Sequence, residues 1–165
     1  MTNPTATATQ ANLGGKYLTF VLAGEEYGIQ ILSVHEILGM MPATRIPRTP
    51  DHIRGVINLR GKVIPVLDLR LRFGMPAIEA TETSCIIVVQ VHGTQMGLVV
   101  DQVSEVTTIQ HGDIEPPPSF GADVPTDFIL GIGKAAGRVR LLLDIDRVLS
   151  TDEVDAVTTA AADVG

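Results

Sequence analysis

The sequence predicts an all-β fold in which one small unit occurs twice, and three observations carry that expectation. Apolar residues make up 45% of the chain, mostly Val, Ile and Leu, with aromatics at 4% and no Trp. A core of β-branched aliphatics suits pleated, half-buried surfaces. Short apolar runs alternate with Gly and Pro punctuation and no long amphipathic helix interrupts them, a pattern that points to small barrels or a sandwich. The same runs then recur in the same order in the second half of the chain.

Residues 17–22 form the first run. Gly24, Glu25 and Glu26 turn the chain and 27–31 return it, which reads as a hairpin with a loop a little longer than the tightest type. Ile31, Val34, Ile37 and Leu38 fit a helical or an extended period; the matching stretch at 99–109 is rich in Val and Thr, so strand is preferred for both. Residues 63–69 are a further strand, in which Pro65 cannot donate to a ladder and implies an unpaired edge at that point. Residues 85–91 hold Ile86, Ile87, Val88 and Val89 in succession; Gly93 and Thr94 turn this strand into 96–100. Val139, Leu141, Leu143 and Ile145 alternate with Arg140, Leu142, Asp144 and Asp146, a period of two that predicts a strand with one buried face. A helical turn is expected at 147–149.

Displacing the chain by 69 residues lays Gly24 on Gly93, Gly28 on Gly97, Val34 on Val103 and Glu36 on Glu105. A displacement of 76 lays Ile53 on Ile129, Gly55 on Gly131, Gly61 on Gly137, Leu67 on Leu143 and Asp68 on Asp144. The growth of the offset places a longer loop in the second copy between Ile109 and Phe128, carrying Pro116, Pro117, Pro118 and Pro125. A unit of about sixty residues buries only a thin core alone. Two units packed together share a seam, and a seam provides a groove for a partner helix or strand.

The chemistry that the composition excludes is as informative. A net charge of −7 disfavours nucleic acid, whose phosphates need Lys and Arg, and an anionic membrane surface. Cys85 is the single cysteine, so no internal disulfide forms, which suits a reducing cytoplasm; it opens an apolar strand and is expected to be an inert thiol. His35, His52, His92 and His111 have no metal-ligand spacing. Gly131-Ile132-Gly133-Lys134-Ala135-Ala136-Gly137 has the glycines of a nucleotide loop but is followed by a strand, so it is read as a turn. The proline segment 115–119 is read as a stiff connector. Asp144 matches Asp68, which predicts a structural role accepting backbone hydrogen bonds at a strand end. No catalytic residue, cofactor or metal is expected. The rival from another class is a small β-barrel enzyme built on an Asp pair, which would need convergent carboxylates in an enclosed pocket.

One turn separates the copies. The first has Asn58, Leu59 and Arg60 before Gly61, whereas the second has Lys134, Ala135 and Ala136 before Gly137. Arg60 and the oppositely charged Glu36 both lie in turn-adjacent segments and are expected to approach each other at the rim of the groove. Asn58-Leu59-Arg60-Gly61 with Pro65-Val66-Leu67-Asp68-Leu69, the segments Gly28 to Ile31 and Val34-His35-Glu36-Ile37, Thr49-Pro50-Asp51 running into Ile53-Arg54-Gly55, and Pro116 to Phe120 together resemble the CheW family, the coupling proteins of bacterial chemotaxis. The resemblance extends over residues 16–150.

It implies two five-stranded, SH3-like β-barrels packed about a pseudo-twofold axis. A tail over 1–14 would precede a domain over 15–150, with a first barrel near 28–84, a second near 97–150 and strands 16–22 and 85–91 exchanged between them; a second tail would cover 151–165. The implied role is that of a cytoplasmic, non-catalytic adaptor between the cytoplasmic tips of chemoreceptors and the regulatory domain of the histidine kinase CheA, without membrane insertion. The alternative is the same role in another chemosensory array, such as one serving twitching motility. Carried over by motif, Val34, Glu36, Gly55, Val56, Asn58, Leu59 and Arg60 are the candidate partner-binding residues. His35 and Leu38 depart from the family pattern around Glu36.

Overall fold

Alternating β-branched and polar residues, cut by glycine turns, give eleven strands and two one-turn helices in the computed structural model, which describes residues 14–116, 128–135 and 137–148. The strands are β1 (Gly15–Leu22), β2 (Glu25–Gln30), β3 (Val34–Gly39), β4 (Ile53–Leu59), β5 (Lys62–Asp68), β6 (Cys85–Val91), β7 (Thr94–Val100), β8 (Gln102–Ile109), β9 (Ile114–Glu115), β10 (Ile129–Ala135) and β11 (Arg138–Leu143). Helix α1 (Leu69–Arg72) follows β5 and α2 (Ile145–Val148) follows β11.

The chain is all-β, with two SH3-like units whose strand ladders stay open rather than closing into rings. One sheet has the order β8-β1-β2-β11-β10-β9 and the other β3-β6-β7-β5-β4. The hairpin β1–β2 therefore pairs with strands of the second copy, and β6–β7 with strands of the first. Exchanging copies turns the five principal strands of one sheet into those of the other, the topological content of a pseudo-twofold axis. The details repeat as well. The parallel contact Val66↔Gly97 between β5 and β7 has its counterpart in Leu142↔Gly28 between β11 and β2. The register slips between Ile53 and Gly55 on β4, and between Ile129 and Gly131 on β10. Bulges at His35 and Ser104 occupy matching places on β3 and β8.

The exchange explains where the core lies. The largest buried cluster joins Leu18, Phe20 and Ile29 of the first hairpin to Ile87, Val89 and Leu98 of the second, so the two copies share one interior. Phe20, Tyr27, Phe73 and Phe128 continue it as a chain of rings with successive centroids 5.8, 5.9 and 4.7 Å apart. Smaller cores fill each unit, Ile57, Ile64, Val66, Ile86 and Val88 in one and Tyr17, Ile109 and Leu142 in the other. Across the seam, Arg70 donates Nε and Nη2 to Asp101 at 2.8 and 2.6 Å, and Asp101 also accepts the Ala23 N–H at 2.9 Å.

Several expectations change at this level. The strand around Val139 is present, but both faces are covered: Leu142 and Arg140 are buried on one side while Leu143 joins the main core on the other, and Val139 at the turn is exposed. Neighbouring elements therefore cover both sides of the strand from Arg140 to Leu143. Ile145 and Asp146 lie in α2, two residues before the helical turn expected there. The glycine segment after Leu130 is strand up to Ala135 rather than turn, because Gly131 must admit the Glu115 carbonyl, which a Cβ would meet at 2.7 Å. The first hairpin turns more tightly than expected, with Ala23 and Gly24 both left-handed. Residues 31–33 make a 3-10 turn before β3 begins. Pro65 sits one residue before the ladder to β7, which covers Val66 to Asp68. Asp68 accepts the Leu71 N–H at 3.3 Å and Asp144 that of Asp146 at 3.1 Å, matching the structural role read for both. The proline segment beyond Pro116 and both expected tails, apart from Gly14, lie outside the described residues.

Candidate partner-docking site

The first copy's rim is assembled by the β4–β5 hairpin and by β3. The hairpin closes at Leu59↔Lys62, leaving a two-residue loop of Arg60 and Gly61 with φ of 52° and 84°. Two left-handed residues in succession match the twist of the flanking strands. Asn58 stabilises the loop by accepting the Gly61 N–H on Oδ1 at 2.9 Å. On β3, the bulge at His35 places Glu36 opposite Val88 on β6. Strands β3 and β4 are the two edges of one open sheet. Between them Arg60 donates Nη2 to Glu36 Oε1, so an ion pair spans the gap that no backbone ladder closes. The hydrogen bond from Arg60 holds the Glu36 carboxyl below its usual range and raises the guanidinium in turn. Arg60 keeps 67% of its side chain exposed against 25% for Glu36, so the acid anchors and the guanidinium is presented.

The remaining candidates divide by burial. Val34 is half-buried against the shared core, and Leu59 packs on the interior of the first unit. Gly55 and Val56 are buried. Val56 exchanges both backbone hydrogen bonds with Thr44, at 2.8 and 2.9 Å, and packs on Ile46. Gly55 has φ of 138° and a Cβ there would lie 2.1 Å from the Thr44 carbonyl oxygen, so only glycine lets the 44–46 segment seat on β4. These two residues shape the rim from beneath, whereas Asn58 and Arg60 face solvent. Sequence reasoning missed the aliphatic residues beside them: Ile37 next to Glu36 on β3, and Val63, the cross-strand partner of Asn58, are 46% and 40% exposed. Alternation was the available signal, since Leu38 and Ile64 take the buried side in each case.

The second copy lacks this rim. Glu105, the counterpart of Glu36, approaches Arg140 Nη2 at 3.6 Å, and Arg140 Nε lies 3.9 Å from Glu26. Arg140 is only 2% exposed and replaces Ile64 of the first copy, opposite Gly133 where the first copy has Ile57. The guanidinium that faces the solvent in one unit thus lies inside the other. Among the described residues no three His, Cys, Asp or Glu side chains gather as a metal site would require, and no helix is long and apolar enough to cross a membrane.

Comparison with known proteins agrees with this architecture. The model of the CheW-like domain matches residues 16–153. The chain is 40% identical to the chemotaxis protein CheW of Klebsiella aerogenes over 90% of each chain, and 39% identical to that of Rhizobium meliloti over 88% of this chain and 94% of the other. The crystal structure of the scaffolding protein TtCheW from Thermoanaerobacter tengcongensis superposes with a TM-score of 0.78 at 39% identity, covering 86% of this chain and 96% of that one. A duplicated, strand-exchanged SH3-like fold matched over nearly its whole length in sequence and in structure leaves one conclusion: this chain belongs to the CheW-like family.

Proposed function

We propose that the chain is a non-catalytic adaptor of bacterial chemotaxis that couples chemoreceptors to the histidine kinase CheA in the cytoplasm. The observation that supports the docking role most is the Glu36–Arg60 pair: an anchored acid holding an exposed guanidinium beside Ile37 and Val63, on one copy and not on the other. An apolar patch with a few charges that set register is the usual make-up of a protein interface. In this reading Arg60 and Asn58 touch the partner, Val34, Glu36 and Leu59 position them, and Gly55 and Val56 hold the loop beneath. The domain covers 15–150, and the segments 1–14 and 151–165 flank it as tails.

Arg60→Glu tests the site. The variant is expected to keep its far-ultraviolet circular dichroism and thermal midpoint, because an exposed pair contributes little to stability. Its affinity for a receptor-tip fragment, for the kinase's regulatory domain, or for both is expected to fall by about tenfold or more. Unchanged affinity for both in a folded variant would remove the rim from the docking surface.

A further inference from the structure

Among the described residues, four other than glycine have left-handed backbone: Ala23, Arg48, Arg60 and His92. Ala23, Arg60 and His92 each precede a left-handed glycine in a tight hairpin. Arg48 does not. It follows Pro47 in the turn from Ile46 to Thr49, with φ of 66°. A turn with Pro second and a left-handed residue third favours Gly or Asn in that third place. An arginine there is strained, and backbone strain of this kind marks sites where something beyond packing fixes the residue.

The turn is rigid from below. Thr49 Oγ1 donates to the Ile46 carbonyl at 2.8 Å, Ile46 is buried against Val56, and the Ile53 N–H donates to the Pro50 carbonyl at 3.0 Å. The Arg48 side chain takes no part in this. It is exposed and has no hydrogen-bond or ion-pair partner among the described residues. Its neighbour Arg45 is already engaged, with Asp51 at 3.7 Å and the Ile53 carbonyl at 3.4 Å. The surrounding segment, 28–84, has seven Lys or Arg against five Asp or Glu in a chain whose net charge is −7.

We infer that Arg48 is a second docking cation of the first copy, presented by its strained turn to a carboxylate on a protein partner. A guanidinium on a rigid turn matches a carboxylate in fork geometry at little entropic cost. The local excess of Lys and Arg over 28–84 favours an acidic surface, and in an adaptor that surface belongs to a protein partner. The inference rests on the adaptor reading.

Arg48→Asn separates strain from function, because Asn adopts the left-handed turn more readily. With the full-length chain, a receptor-tip fragment and the kinase's regulatory domain serve as the two probes. The expected result is an equal or higher thermal midpoint together with affinity about fivefold or more weaker for at least one probe, and a shallower salt dependence of that binding. Arg48→Lys is expected to retain part of the lost affinity. Affinity within about twofold of the parent for both probes overturns the inference; if Arg60→Glu weakens binding in the same assay, the adaptor reading survives that outcome. A parent chain that binds neither probe overturns both.

Discussion

Arg140 is the residue whose placement departs furthest from what its chemistry prefers. It stands at the position of Ile64 inside the second unit, and its Nε and Nη1 atoms have no hydrogen-bond partner. Glu26 and Glu105 face it at distances that give attraction without good hydrogen bonds. Glu26 keeps Arg138 at 3.1 Å and Glu105 is 56% exposed, so removing the Arg140 charge leaves no acid buried and unpaired. Arg140→Met is therefore expected to change stability by less than about 1 kcal/mol in urea titration; a loss of about 3 kcal/mol or more would mean that the cluster is strongly stabilising. Glycine positions give a graded test. Gly55→Ala drives a Cβ into the Thr44 carbonyl and is expected to cost about 2–3 kcal/mol, whereas Gly61→Ala meets no atom within 4 Å and is expected to cost about 1 kcal/mol, both read from chemical denaturation.

Asp101 links residues to elements, because its side chain ties α1 to the turn after β1. The Arg70 hydrogen bonds, helped by the Ala23 N–H, hold its carboxyl below the ordinary value despite the opposing effect of burial. The unfolded chain, with its Asp near 3.9, therefore takes up this proton more readily than the folded one. The stabilisation is complete above about pH 4 and is lost as pH falls through the folded value. Asp101→Asn is expected to be less stable at pH 7 and to lose less on acidification than the parent, as measured by urea titrations at a series of pH values. Equal acid slopes for the two would show that the pair does not drive the pH dependence.

The elements themselves were largely legible. The glycines at equal offsets and the collinear apolar runs located the duplication, and Glu36 and Arg60 meet as expected. Less legible were features set by the tertiary fold. An aliphatic run looks alike whether one or both of its faces are covered, so β11 disclosed its existence but not its double burial. Gly131 resembled a turn residue because a close backbone approach and a left-handed turn both call for glycine. The exposed Ile37 and Val63 were hidden for the same reason: an aliphatic residue beside a buried one reads as core.

At the scale of the molecule, strand exchange makes the copies interdependent. Strand β3 borders only β6 in its sheet, and β1 and β2 border β8 and β11 in theirs. A fragment ending before Cys85 leaves both partial sheets without these neighbours, and the core they share is divided. Fragments 1–84 and 85–165 are expected to be unfolded alone and to regain strand signal in circular dichroism when mixed. Independent folding of either fragment would contradict a shared core. The intact chain is expected to unfold in one cooperative transition.

The coupling role is tested most directly by the autophosphorylation rate of the histidine kinase in receptor-containing membranes, measured with and without this chain. The rate is expected to depend on the chain, and Arg60→Glu, at equal concentration and with intact fold, is expected not to restore it. A rate unaffected by addition of the parent chain, with all components folded, would contradict the adaptor assignment.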